Sequence, residues 1–303
     1  MEASRIPAHE ASSAWPLGGV RQVLADYVTL TKPRVQLLLL LTTVSTMYVA
    51  GDPSLGLILL TLLGGSLSAG GAAAVNHYYD RDIDAQMART ATRPVPSGRV
   101  APRAALAYGV VLQVLSFLLL SLAVNLLAAV LALCGFLGYV FVYTLWLKRR
   151  TPQNIVIGGA AGAVPPLVGW AAVTGSVDPA AWYLFAIVFY WTPPHFWALS
   201  LLMKDEYARV GVPMMPVVHG EVETRRQILL YTGLLVVLTL LPVVFGFFGA
   251  LYATAACLLG MAFLVLAVRL QRRADRPSAL RTYLFSLAYL ALLFGAMVAD
   301  ARL

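Results

Sequence analysis

Apolar runs of about 20 residues follow one another along almost the whole chain, and this recurrence limits the fold more than any other feature. Nine can be read, at about 35–51, 55–75, 105–124, 127–147, 155–174, 180–202, 228–248, 251–269 and 282–300. A run of this length crosses hydrocarbon as a helix, because a helix satisfies every backbone hydrogen bond within itself. Hydrophobic residues make up 60% of the chain and charged residues 12%, about half the usual share. So little charge cannot cover a water-soluble globule, which excludes that class. The expectation is an all-α membrane protein of nine transmembrane helices, with residues 1–25 as an N-terminal tail and 26–303 as a single nine-helix domain. Most connections are short, and two are long: 76–104 and 203–227.

The scarce charge is distributed unevenly. With nine spans and a cytoplasmic N-terminus, 21 of the 22 basic residues fall on the cytoplasmic side and only Arg302 falls outside. The positive-inside rule therefore supports helix count and orientation together, and the formal net charge of +8 reads as topology, with no need for nucleic acid. Of the fourteen acids, only Asp52, Asp178 and Asp300 fall outside. The first 25 residues lack an apolar core for a cleaved signal, and Glu2 and Glu10 argue against an acid-poor transit peptide, so a multi-pass protein of a bacterial plasma (inner) membrane is expected. Long charged connections follow spans two and six, and short basic ones follow spans four and eight. This is a coarse parallel repeat with an offset of four helices, the kind that places a site at the interface of its halves.

Chemistry-bearing residues gather at the charged end. Asn76, Asp80 and Asp84 stand at i, i+4 and i+8, so on a helix they advance only about 40° per step and line one face over about 12 Å. One amide oxygen and two carboxylates are hard ligands of the type Mg²⁺ takes together with substrate phosphates. The same spacing also suits a solvated acidic helix end balanced by Arg81 and Arg89. The second long connection supplies Lys204, Asp205, Glu206, Tyr207, Ala208 and Arg209, which is either a solvated loop or, through the repeat, an acidic cluster opposite the first. Arg34, Arg93, Lys148 and Lys204 are candidate clamps for phosphate oxygens, and each is equally readable as a topology signal.

Span six carries Trp191, Thr192, Pro193, Pro194, His195, Phe196 and Trp197, where paired prolines are expected to interrupt the helix. An ionisable His195 within a span is a candidate site residue or an interhelical hydrogen-bonding group. The run Gly158, Gly159, Ala160, Ala161 and Gly162 reads as a close packing face. Cys134 and Cys257, far apart in apolar runs, read as small buried apolar residues with no disulfide or metal role.

The stretch from Asn76 to Asp84 resembles the N-x-x-x-D-x-x-x-D motif of UbiA-type intramembrane prenyltransferases. Further stretches resemble the protohaem IX farnesyltransferases (haem O synthases) within them. These are Lys32-Pro33-Arg34, Tyr143-Thr144, Trp146 to Pro152, Asn154 to Gly159, Pro194 to Leu199, and Gly211 to Val217. The resemblance covers roughly residues 26–300. It implies nine helices in a bundle around a central cavity, a Mg²⁺ cofactor, and transfer of farnesyl from farnesyl diphosphate to the 2-vinyl group of haem B, giving haem O. It further implies metal-binding and catalytic roles for Asn76, Asp80 and Asp84, with Lys148 sharing the diphosphate charge. The second motif departs from the superfamily's D-x-x-x-D: Met203 and Tyr207 stand near the acid positions, so either Asp205 or Glu206 is expected to reach the metal. His195 is a candidate haem contact. Haem A synthase or cytochrome oxidase assembly factors are expected neighbours in the bilayer. Two other readings compete: a UbiA-type enzyme with a different acceptor, and a secondary transporter. A transporter is expected to carry polar groups at broken helices near mid-membrane, whereas here the acids lie at one face.

Overall fold

A computed structural model describes residues 19–303. Arg5, Glu2, Glu10 and most of the expected tail lie outside the described residues. Helix α1 (Val20–Leu30) already occupies the last part of that tail. The long helices that follow are α2 (Pro33–Ala50), α3 (Leu55–Tyr79), α5 (Pro102–Ala123), α6 (Leu126–Leu137), α7 (Asn154–Thr174), α8 (Pro179–Leu202), α11 (Gly220–Val244), α12 (Ala250–Arg273) and α13 (Arg276–Asp300). Short helices α4 (Arg81–Gln86), α9 (Lys204–Arg209) and α10 (Met215–Val218) stand in the two long connections. No strand occurs among the described residues.

Each of the nine apolar runs coincides with a helix, and among the described residues seven helices are long and apolar enough to cross a membrane. The other two, α2 and α8, are diluted by residues turned inward. In α2, Gln36, Thr42, Thr43, Ser45 and Thr46 are all buried. Their cost is offset locally, as where the Thr42 and Thr43 hydroxyls donate to the carbonyl oxygen of Leu39 at 2.8 and 3.0 Å. In α8 the diluting residues are Trp, Tyr, Pro and His.

Neighbouring helices close a ring. α3 packs on α5, α5 on α6, α6 on α7, α7 on α8, α8 on α11, α11 on α12, α12 on α13, and α13 returns to α2. Helices α2 and α7, equivalent under the four-helix offset, also pack on each other inside the ring. Close approach depends on missing side chains: a Cβ on Gly71 of α3 would stand 2.7 Å from the carbonyl oxygen of Gly109 of α5.

Three local features differ from the sequence expectation. Helix α8 is unbroken: Pro193 and Pro194 sit inside it, and the hydrogen bonds they forfeit are tolerated because neighbouring helices brace the segment. The fourth run is not uniformly α-helical: from Gly138 to Leu147 it widens into a π-helix, which ends with Lys148 N–H donating to the carbonyl oxygen of Tyr143 at 2.8 Å. The cysteines are exposed on α6 and α12 instead of buried, because in an apolar chain hydrophobicity does not tell inward positions from outward ones.

Candidate active site at the charged end of the bundle

Helix α3 ends at Tyr79 and α4 begins at Arg81, with Asp80 serving both as cap (φ −89°, ψ 4°). The break does not disturb the register. Asp80 N–H donates to Asn76 O at 2.9 Å and Asp84 N–H to Asp80 O at 2.8 Å, so the three residues keep one face. All three are almost fully buried, at 3%, 1% and 4% exposure. A solvated acidic helix end would not be.

Each of the three has a cation of the chain on one of its oxygens, and Arg149 Nη2 stands 3.7 Å from the other oxygen of Asp80. Lys32 Nζ donates to Asn76 Oδ1 at 2.8 Å, Lys148 pairs with Asp80 Oδ2, and Arg93 Nη1 donates to Asp84 Oδ2 at 2.7 Å. Asn76 Nδ2 also donates to Asp80 Oδ2 at 2.6 Å and to Thr144 Oγ1 at 3.2 Å. Asp80 Oδ1 is buried with no hydrogen-bond partner. Burial, then the charges of Arg93 and Lys148, hold the Lys32 ammonium down to about 7. Burial lowers Lys148 too, but the charge and hydrogen bond of Asp80 outweigh it and leave Lys148 above its usual value.

Beside the cluster, Arg149 grips Asp82 through two bonds of 2.6 Å and donates to the carbonyl oxygen of Tyr79 at 2.9 Å, which fastens the π-helix to the α3–α4 break. That grip holds the Asp82 carboxyl down to about 2. The connection after α4 is itself ordered. Thr90 Oγ1 donates to Asp84 O at 2.8 Å, and Arg99 binds both oxygens of buried Asp26 in α1 at 3.1 Å. Arg93 is thereby fixed over Asp84.

Below the cluster a cavity of about 350 Å³ opens between α2, α3, α6, the π-helix, α7 and α8. Lys32 and Tyr143 stand at its mouth, and its walls are almost wholly apolar, with Phe136, Tyr139, Trp191 and Phe196 presenting aromatic rings. The glycine-rich run of α7 does more than pack. Gly158 lies against Tyr143, where a Cβ would come within 2.5 Å of the ring, whereas a Cβ on Gly162 would meet nothing within 4 Å. Both residues line the cavity.

The structure brings together Asn76, Asp80, Asp84, Arg93 and Lys148 from the sequence candidates. It leaves out others. Arg34 is exposed, while its neighbour Lys32 reaches the cluster. Lys204 pairs with Glu221 at 3.1 Å. Asp205 is exposed, and Glu206 is half-buried with Oε2 buried and unpartnered. The two long connections do meet, but through apolar contact: Ile83 and Met87 of the first pack with Tyr207, Val212 and Met214 of the second. His195 does not line the cavity. Its ring stacks between Trp191 and Tyr283, with centroids 4.3 and 5.0 Å away, and Nδ1 is 2.7 Å from Ser286 Oγ of α13.

The donors fit a divalent metal. They are hard oxygens, two of them carboxylates, and one buried carboxylate oxygen has no partner. Among the described residues, no three His, Cys, Asp or Glu side chains form a metal site alone, so such an ion would complete its shell with Asn76 and substrate oxygens.

Solved structures share the fold. A digeranylgeranylglyceryl phosphate synthase superposes with a TM-score of 0.76 at 19% identity over 93% of this chain and 100% of its own. An Archaeoglobus fulgidus UbiA homolog bound to DMAPP and Mg²⁺ gives 0.68 at 18% identity over 90% and 99%. In sequence the chain is 54% identical to a protoheme IX farnesyltransferase of Roseiflexus sp., over 97% of this chain and 56% of that protein. It is 55% identical to that of Symbiobacterium thermophilum, over 92% and 95%. The chain spans about half the length of several such relatives, as with the Roseiflexus protein, and nearly all of the Symbiobacterium one. The UbiA prenyltransferase family model matches residues 38–293, across the motif, the cavity and both halves of the ring, and the chain belongs to that family.

Proposed function

We propose that this chain transfers the farnesyl group of farnesyl diphosphate to the 2-vinyl group of haem B, with addition of water, giving haem O and diphosphate. The observation that carries the reading is the buried cluster of Asn76, Asp80 and Asp84, ringed by Lys32, Arg93 and Lys148, at the mouth of an apolar cavity. One end of that arrangement suits a diphosphate and the other an isoprenoid tail. Relatives named protoheme IX farnesyltransferase at 54–55% identity supply the choice of acceptor. A family member with another acceptor would use the same cluster, and acceptor competition separates the two.

Asn76, Asp80 and Asp84 would hold Mg²⁺, which would supply charge neutralisation for the departing diphosphate. Lys32, Arg93 and Lys148 share that charge, in a site whose low dielectric strengthens each contact. The allylic C–O bond breaks and its electrons leave with diphosphate. The terminal vinyl carbon of haem attacks the allylic cation, water adds to the vinyl carbon that becomes cationic, and a proton is released. Trp191, Phe196, Tyr139 and Tyr143 line the cavity, where aromatic rings can stabilise the cations and exclude stray water. A haem contact at His195 would need its ring to leave the stack with Trp191 and Tyr283.

The same reading places nine helices across a bacterial plasma membrane, α2 and α8 included, with the N-terminus and the acidic cluster on the cytoplasmic side. Purified protein given haem B, farnesyl diphosphate and Mg²⁺ is expected to yield a farnesylated, hydroxylated haem by mass spectrometry. Asp80→Ala and Asp84→Ala proteins are expected to lose product formation; full activity in both would remove the metal assignment.

A further inference from the structure

Each residue that would bind the metal already has one side-chain oxygen engaged by a cation of the chain. Asn76 Oδ1 accepts from Lys32 at 2.8 Å, Asp80 Oδ2 pairs with Lys148, and Asp84 Oδ2 accepts from Arg93 at 2.7 Å. These come from three separate elements: the α1–α2 junction, the end of the π-helix, and the connection after α4. A cation on each ligand, with Arg149 also 3.7 Å from Asp80, is more than orientation of the motif requires, since Asn76 and Asp80 are already bonded to each other.

The charges decide what the cluster can accept. The two carboxylates are balanced by Lys148 and Arg93, and Lys32 adds charge only in the positive direction. A bare divalent cation therefore meets no net negative charge. To bind, it must part an ammonium or guanidinium whose side chain is only 14–22% exposed from its partner, and a poorly solvated unpaired charge is unfavourable. A diphosphate changes that balance, because its oxygens give the three displaced cations new partners at short range.

We propose that Lys32, Arg93 and Lys148 are exchangeable counter-ions, which leave Asn76, Asp80 and Asp84 for diphosphate oxygens as the metal takes their place. Metal and diphosphate then bind with strong positive coupling, and the metal alone binds weakly. This rests on the metal reading of the same cluster. By linkage the coupling is reciprocal: the metal tightens the diphosphate by the factor by which the diphosphate tightens the metal. Asp80 Oδ1, buried with no hydrogen-bond partner and 3.7 Å from Arg149 Nη2, is the point where exchange can begin.

The test uses the full chain in detergent, Mn²⁺ as the metal probe read by electron paramagnetic resonance, and farnesyl S-thiolodiphosphate as the inert diphosphate. Mn²⁺ is expected to bind weakly alone and on the order of tenfold or more tighter with the analogue, within the range usual for coupled sites. The analogue should gain the same factor from Mn²⁺. In Lys148→Met, Mn²⁺ alone should bind more tightly than in the parent and the gain from the analogue should shrink. Arg93→Gln should do the same at the other carboxylate, and serves if Lys148→Met does not fold. Equal Mn²⁺ affinity with and without the analogue would overturn the exchange while leaving the metal site standing. So would Mn²⁺-alone affinity that is unchanged or weaker in the variants. No Mn²⁺ binding under either condition would overturn the metal reading, and the exchange with it.

Discussion

Lys32 has φ 52° and ψ 55°, a left-handed conformation that costs a residue other than glycine about 1–3 kcal/mol. The turn sends its side chain inward to Asn76, while Arg34, two residues on, is exposed. Lys32→Met is expected to lower kcat by roughly 100-fold, the usual loss when one fixed donor to developing negative charge is removed. Arg34→Met should stay within a few-fold, and steady-state kinetics on the two variants checks both. Spacing alone made Asn76, Asp80 and Asp84 legible, because helical periodicity follows directly from sequence. It could not separate Lys32 from Arg34, whose directions depend on the sign of one backbone dihedral. His195 was obscured differently. Successive helix positions turn by about 100°, and this one turns toward Ser286 on α13, as the Trp191 indole one turn earlier also does, while its neighbours Thr192 and Phe196 line the cavity.

Among the elements, α7 carries the sharpest contrast. A Cβ on Gly169 would collide with the backbone oxygen of Thr43 in α2, whereas one on Gly162 meets open space. Gly169→Ala is therefore expected to destabilise by about 1–3 kcal/mol through overpacking. Gly162→Ala should be neutral or slightly stabilising, since alanine is the better helix former. Melting curves in one detergent compare them. At the start of α13, Asp275 caps the helix on Ser278, and the Ser278 side chain, then its N–H donating at 2.8 Å, hold the carboxyl below the usual 3.8. A depressed carboxyl stabilises above its unfolded value and loses that contribution as pH falls through the folded one. The melting-temperature gap between the parent and Asp275→Ala should therefore be present at neutral pH and close on acidification below 3.8. The π-helix of Gly138–Leu147 was not legible, because its residues are ordinary apolar and aromatic ones. It is visible only in what it presents to the site, namely Tyr139, Tyr143 and Thr144, with Lys148 just beyond its end.

At the scale of the molecule, the number and order of the long helices followed from run lengths, and the two long connections from where the charge falls, whereas the ring of helices was implied only by the family resemblance. Nine spans with a cytoplasmic N-terminus predict opposite sides for Thr174 and Ala88, both exposed. In a background lacking Cys134 and Cys257, an impermeant maleimide on intact cells should label Thr174→Cys and spare Ala88→Cys until the membrane is opened. Labelling of both, or of Ala88→Cys alone, would overturn the topology. What the runs could not convey is which helices surround empty space. Beside larger residues such as Ile155, Val164 and Val168, the cavity walls on α3 and α7 include Gly65, Ala69, Ala72, Ala161 and Gly162. The chamber is thus hollowed out of side chains, and the helices need not be splayed to make it. Its length and girth can change by single methyl increments at such positions while every backbone stays where it is. A lineage built on this frame could therefore move between shorter and longer isoprenoids by point substitution, without renegotiating its packing.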